Sequence, residues 1–269
     1  MKTARMMMTV AAAVLGLNQA QAAHSIEGVW ELRTFEIVEN GQMRPWCEGA
    51  FGSIVYFRGT VFAAINCTSD PQRKVFYTGP YERRPGEVVH QIRNAADESL
   101  IGKTLVRKVR MSGQNSLELV GPFGTAGIVR LTWVRRERIA VNEDPFFGVY
   151  QLTGSHNQFE GRSDVPYCTG VFGTILYTPG GFTAVALNCA PKADPSQAEP
   201  ADAHGRSYFY FGSFGLGKAH VSAELENASV VEQIGERVER SMELRDGELT
   251  LAGMNGSAFV AVWRRVMHP

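Results

Sequence analysis

Residues 45–67 read PWCEGAFGSIVYFRGTVFAAINC, and residues 166–189 read PYCTGVFGTILYTPGGFTAVALNC. Each copy opens with Pro, an aromatic and Cys, passes through Gly-x-Phe-Gly into an apolar run, turns at glycine and returns to Asn-Cys. Such self-similarity at a fixed interval marks a duplicated unit. The correspondence extends outward in both directions. Gly28-Val29-Trp30 answers Gly148-Val149-Tyr150, and Phe76-Tyr77-Thr78-Gly79 answers Phe209-Tyr210-Phe211-Gly212. Farther on, Ile101-Gly102 answers Ile234-Gly235, Arg107 answers Arg240, and Trp133-Val134-Arg135-Arg136 answers Trp263-Arg264-Arg265.

Within each copy the pattern is the short apolar run bounded by Gly, Asn, Asp or Pro, which reads as a strand. In the first copy strands are expected over 28–38, 53–58, 61–67, 75–83, 87–95, 103–112, 116–121 and 126–137. In the second they are expected over 147–153, 174–178, 182–188, 207–215, 219–226, 236–245, 248–252 and 258–266. Asn40-Gly41, Arg58-Gly59, Pro85-Gly86, Ser112-Gly113 and Asp246-Gly247 fall between them, where turns need glycine. Connections this short cannot carry a crossover helix, so the strands are antiparallel and sequential. Eight such strands remove their exposed edges by closing into a barrel, whose interior either fills with side chains or holds one small ligand. The fold expected is all-β, two consecutive antiparallel eight-stranded barrels from an internal duplication. Residues 138–146 link them, too few for a flexible tether. Residues 190–206, rich in Ala, Pro and Asp, read as an exposed loop inserted in the second copy only.

The 269 residues sum to zero formal charge, but unevenly. Residues 24–140 carry 16 basic and 12 acidic side chains, net +4, and residues 141–269 carry 9 and 15, net −6. Opposite signs favour docking of the two barrels, although exposed charge pairs contribute little. No basic cluster interleaved with aromatics points to nucleic acid. Lys2 and Arg5, the apolar run 6–17 and Ala20-Gln21-Ala22 read as an export signal over residues 1–22. That leaves barrel units at 23–140 and 141–269, periplasmic or secreted, with no membrane insertion. The four cysteines, two per copy at separations of 20 and 21, then read as disulfides. Three pairings are possible; Cys47 with Cys67 and Cys168 with Cys189 is preferred because the intervening hairpin brings its ends together.

The ordered set of Gly28-Val29-Trp30, the Phe-Gly-Ser-Ile-Val-Tyr strand, Tyr77-Thr78-Gly79-Pro80-Tyr81, the turn at Tyr177-Thr178-Pro179-Gly180-Gly181 and a closing Trp-x-Arg resembles the bacterial and fungal lipocalin-like domain family. The resemblance covers both copies. It implies binding of a small apolar ligand, and some relatives with paired barrels guide isomerisation or cyclisation. It also implies that Trp30, under Arg135 or Arg136, plugs one end of the first barrel, with Tyr150 and Arg264 or Arg265 in the second. Val88-Val89-His90 fits the family's middle strand, and its counterpart in the second copy is Ala223.

No catalytic motif stands out, the six histidines are scattered, and neither a metal nor a cofactor is expected. The candidates for ligand contact are aromatics and arginines that share a barrel interior. They are Tyr56, Phe62, Tyr77, Tyr81 and Arg107 in the first copy, and Tyr177, Phe182, Tyr210, Phe214 and Arg240 in the second. Because side chains alternate along a strand, a register error of one residue turns any of these outward. An inward arginine without a partner favours an anionic head group. Three functions follow: a binder of a small, largely apolar molecule, an isomerase or cyclase using a barrel or the cleft between barrels, and a non-catalytic interaction module with filled barrels.

Overall fold

The computed structural model describes residues 25–39, 41–124, 127–140, 144–159, 162–165, 168, 170–189, 207–254 and 258–266. The export segment expected over 1–22 and the insertion expected over 190–206 lie outside the described residues. The first half contains β1 Gly28–Glu39, β2 Gln42–Pro45, β3 Ala50–Phe57, β4 Thr60–Cys67, β5 Lys74–Arg84, β6 Glu87–Gln91, β7 Asn94–Ala95, β8 Thr104–Ser112, β9 Ser116–Pro122 and β10 Ile128–Glu137. The second contains β11 Gly148–Phe159, β12 Arg162–Val165, β13 Val171–Tyr177, β14 Phe182–Cys189, β15 Ser207–Leu216, β16 His220–Ala228, β17 Arg237–Arg245, β18 Glu248–Gly253 and β19 Phe259–Arg265.

Strands β1, β3, β4, β5, β6, β8, β9 and β10 pair antiparallel in that order, and β10 returns to β1, with Trp30 opposite Arg135 and Phe35 opposite Leu131. The second half repeats the circuit through β11 and β13 to β19, closing with Leu152 opposite Trp263 and Ser155 opposite Ala261. Both are closed eight-stranded barrels. Two short strands were not foreseen: β2 and β12 pair only with the far ends of β1 and β11. The run expected over 87–95 breaks at Ile92 and Arg93, after which β7 pairs with β5. The break follows from a close approach: a Cβ on Gly79 would lie 1.9 Å from the Gln91 carbonyl oxygen, and one on Gly212 would lie 1.8 Å from that of Glu224. Only glycine lets the strands cross there, which accounts for its recurrence in both aromatic motifs.

Three apolar clusters result. Trp30, Tyr56, Ala63, Tyr77 and Trp133 belong to the interior of the first barrel. Tyr150, Tyr177, Val185, Tyr210 and Trp263 occupy that of the second. The third cluster, with Val55, Phe62, Phe76, Leu176, Phe182, Phe209 and Phe211, lies between barrels and joins them into one fold. The contact is isologous, each barrel presenting the same patch to the other. Phe76 meets its counterpart Phe209 at 5.5 Å between ring centroids. Asn66 Nδ2 donates to Asn227 Oδ1 at 2.7 Å and to the Ala228 carbonyl at 2.9 Å. The equivalent Asn188 donates to Asn94 Oδ1 at 3.2 Å and the Ala95 carbonyl at 3.0 Å. The opposite net charges enter this interface through Arg136, which pairs with Glu226 across it. Burial of the aromatic patch, not charge, supplies most of its stabilisation.

The disulfides are Cys47–Cys67 and Cys168–Cys189, with Cα separations of 6.2 and 6.0 Å. Each ties the segment before the second barrel strand to the end of the third. Loops of 20 and 21 residues restrict the unfolded chain. Replacing either pair by serine is expected to lower unfolding free energy by about 3 kcal/mol, read from urea titration.

Candidate functional site

In the first barrel β3, β5 and β6 bring Tyr56, Tyr77 and His90 together at the centre. Tyr56 Oη lies 2.9 Å from His90 Nε2, and Tyr77 Oη lies 3.0 Å from Nδ1. A neutral imidazole donates from one nitrogen and accepts at the other, so both nitrogens are satisfied. Burial, reinforced by the Arg107 charge, drives the imidazole down to about 3. Burial also pushes Tyr77 up to about 12 and Tyr56 well above its ordinary value. Tyr81 is raised by burial and by Glu27, whose Oε1 accepts its hydroxyl proton at 3.3 Å. Arg107 is only 4% exposed and donates to the Pro122 carbonyl at 2.5 Å. What remains is a cavity of about 20 Å³ among Phe35, Ile54, Tyr77, Arg107, Leu131 and Trp133. The first barrel is a filled core.

The second barrel has a larger cavity at the equivalent place, about 110 Å³, lined by Ile175, Val185, Tyr210, Arg240, Ala261 and Trp263 among others. Strand registers give the reason. Where Phe35 faces Leu131 in the first barrel, Ser155 faces Ala261 in the second. Two large side chains are lost. Tyr208 in place of Val75 and Val185 in place of Ala63 only partly refill the volume. His90 is replaced by Ala223, each opposite an aromatic of the preceding strand. Tyr177 turns instead to Phe146 and Phe214, at 4.6 and 4.9 Å between ring centroids. Its hydroxyl is held far above its usual range, first by burial and then by Tyr210 and Tyr150.

The chamber is apolar with a donor-rich side. Arg240 lies on the inward face of β17 with Val238, Met242 and Leu244, which pack on the barrel interior. Its Nη1 donates to the Glu239 carbonyl at 3.0 Å, and among the described residues no carboxylate pairs with it. Burial raises Tyr210 while the Arg240 charge lowers it, so Tyr210 remains a protonated donor. Trp263 is 1% exposed, and its Nε1 has no hydrogen-bond partner. The Oγ of Ser155, beside this wall, is likewise buried without a partner.

The sequence-derived candidates therefore separate. Tyr56, Tyr77, Tyr81 and Arg107 fill the first barrel, whereas Tyr210 and Arg240 line the chamber of the second, with Tyr177 and Phe214 packed in the same core. Phe62 and Phe182 require correction: both lie outside the barrels, in the interface cluster, where Phe62 meets Phe211 at 6.2 Å and Phe182 meets Phe211 at 6.2 Å. Alternation along β4 gives the inward places to Val61, Ala63 and Ile65 instead. Trp263, Tyr208, Ser155 and Ala261 were missed; the contrast of Phe35 and Leu131 with Ser155 and Ala261 was the available signal. Among the described residues no group of three His, Cys, Asp or Glu side chains is placed to hold a metal.

The end plug is resolved as well. Arg135 lies 3.9 Å above the Trp30 ring and donates to the carbonyls of Glu27, Ser25 and Gln114 at 2.5, 2.8 and 2.7 Å. Burial, and then Arg138, lowers its ordinary value to about 10. In the second barrel Arg265 donates to the Phe147 carbonyl at 2.8 Å, and the Tyr150 hydroxyl donates to the Pro145 and Phe146 carbonyls.

Residues 147–266 match the family model of the lipocalin-like domain. No curated protein matches the chain. Solved structures that it resembles include two mutant forms of the vaccine antigen transferrin binding protein B from Haemophilus parasuis Hp5. The single mutant is 7% identical with a TM-score of 0.26, over 85% of this chain and 65% of that one. The double mutant is 6% identical with a TM-score of 0.26, over 92% and 77%. The chain thus spans 65% of the length of the first of these. The second barrel thus matches the lipocalin-like domain family, and the first barrel repeats its strand order, its disulfide and its closing Trp-x-Arg.

Proposed function

We propose that this is an exported binding protein with mature barrel units at residues 23–140 and 141–269, which takes a small, largely apolar molecule into the second barrel while the first serves as its rigid, filled partner. The single observation that supports the reading is the contrast of about 110 Å³ against about 20 Å³ at equivalent positions. A chamber of this size lies below the several hundred Å³ typical of drug-sized ligands, so the occupant is compact, about one aromatic ring. The two disulfides fit an oxidising, extracytoplasmic compartment. Among the described residues no helix is long and apolar enough to cross a membrane.

The test is to restore in the second barrel the side chain that fills the first. Ala261→Leu supplies the residue found at the equivalent Leu131, so the fold has a precedent for it. Toluene at about 100 times its dissociation constant should stabilise the native chain by about 2.7 kcal/mol in thermal unfolding. That stabilisation should vanish in Ala261→Leu while the circular dichroism spectrum is unchanged. Equal stabilisation of both proteins would place binding elsewhere and end the reading.

A further inference from the structure

We infer that the ligand of the second barrel carries an anionic oxygen group, a carboxylate on a compact apolar body, received by the guanidinium of Arg240 beside the indole N–H of Trp263. The inference rests on the reading of the second barrel as the binding chamber and adds the chemical class of its occupant. Its first support is the donor inventory of the wall. Arg240 and Trp263 can only donate, and the Tyr210 phenol stays protonated and can donate as well. Among the described residues no acidic side chain lines the chamber. A cation or a hydrocarbon would leave these donors without an acceptor, and a neutral oxygen would accept from them only weakly, whereas a carboxylate accepts in stronger charge-assisted bonds.

The second support comes from the duplicate. Trp133 and Trp263 both leave a buried Nε1 without a partner, and each lines its own barrel's cavity, about 20 Å³ in the first and about 110 Å³ in the second. Arg107 delivers its Nη1 to the Pro122 carbonyl at 2.5 Å and is buried in the filled barrel. Arg240 spends one Nη1 contact on its neighbour's carbonyl at 3.0 Å and remains partly exposed, so the rest of its fork is available at the mouth. The geometry orients the guest: apolar body toward Ile175 and Val185, carboxylate toward β17.

The experiment titrates the full chain at pH 7 with benzoate, benzyl alcohol and toluene, following affinity by calorimetry and the Trp263 indole resonance, assigned with Trp263→Phe, by NMR. Benzoate is expected to bind at least about tenfold more tightly than benzyl alcohol, the scale of one charge-assisted bond. In Arg240→Gln this preference should fall to near unity through loss of benzoate affinity. A circular dichroism spectrum and a thermal midpoint like those of the native chain show that the variant is folded. If benzyl alcohol or toluene binds the native chain as tightly as benzoate, the anionic class is wrong, although the chamber itself binds. If Arg240→Gln keeps the full preference, Arg240 is not the receptor and the inference fails. If none of the three binds and the indole resonance does not move, the chamber reading fails together with it.

Discussion

Replacing Asn66 and Asn188 together by alanine is expected to cost roughly 5 kcal/mol and to split unfolding into two transitions, one per barrel. Each asparagine is 1% exposed and sends both Nδ2 protons across the interface. Removing one amide loses two bonds and leaves two buried acceptors without donors, a penalty of about 1–3 kcal/mol per orphaned group before relaxation. The two sites are not equal. Asn188 Oδ1 accepts from the Cys189 amide at 2.9 Å, whereas Asn66 Oδ1 is buried without a partner. Asn66→Ala therefore removes one unfavourable atom along with the favourable ones and should be the milder single variant. Urea titration followed by tryptophan fluorescence reads both effects, because Trp30, Trp46 and Trp133 lie in the first barrel and Trp263 in the second. A single transition at the native midpoint in the double variant would show that the aromatic cluster alone couples the barrels.

The Asn-Cys ending of the repeated stretch thus has two separate duties. The cysteine clasps its own barrel and the asparagine reaches the other. Cysteine pairing was readable because it depends on loop length and hairpin closure, both local. The cross-barrel role of Asn66 and Asn188 was not, because it depends on how two closed surfaces meet. Strand existence was legible for the same local reason, through turn glycines and apolar runs, and the expected bounds lie within three residues of the observed ones except at β11, which runs six residues longer, and over 87–95, which breaks in two. Inward or outward direction was legible less well. Phe62 and Phe182 lie on strands whose residues are buried on both faces, so the apolar pattern carries no alternation to read. The chamber was half legible. Arg240 and Tyr210 could be named from residue type, but whether space existed beside them depended on Ser155 and Ala261, small residues that carry no chemistry of their own.

Acidification is expected to strike the first barrel through His90. Its folded value is about 3, set by burial first and Arg107 second, against an ordinary 6.5 in the unfolded chain. A base depressed on folding binds its proton more readily when unfolded, so its contribution is complete above pH 6.5 and drains away as pH falls toward 3. The loss runs at about 1.4 kcal/mol per pH unit and amounts to roughly 3 kcal/mol by pH 4. The phenols that face the ring, Tyr56 and Tyr77, are both raised by burial, hold their protons throughout this window and add nothing to the slope. His90→Gln keeps one donor and one acceptor between the two phenols but cannot titrate. Native stability measured by urea at pH 7, 5 and 4 should therefore fall relative to that of the variant as pH drops, the variant profile being flatter by the amount given. Parallel profiles would mean that the imidazole titrates alike in both states and is not sealed in the core. Ala223 stands at the equivalent place in the second barrel, so this term exists on one side only. In the Asn66→Ala, Asn188→Ala protein, where the barrels unfold separately, the acid-sensitive transition should be that of the first barrel, while the chamber of the second persists to lower pH.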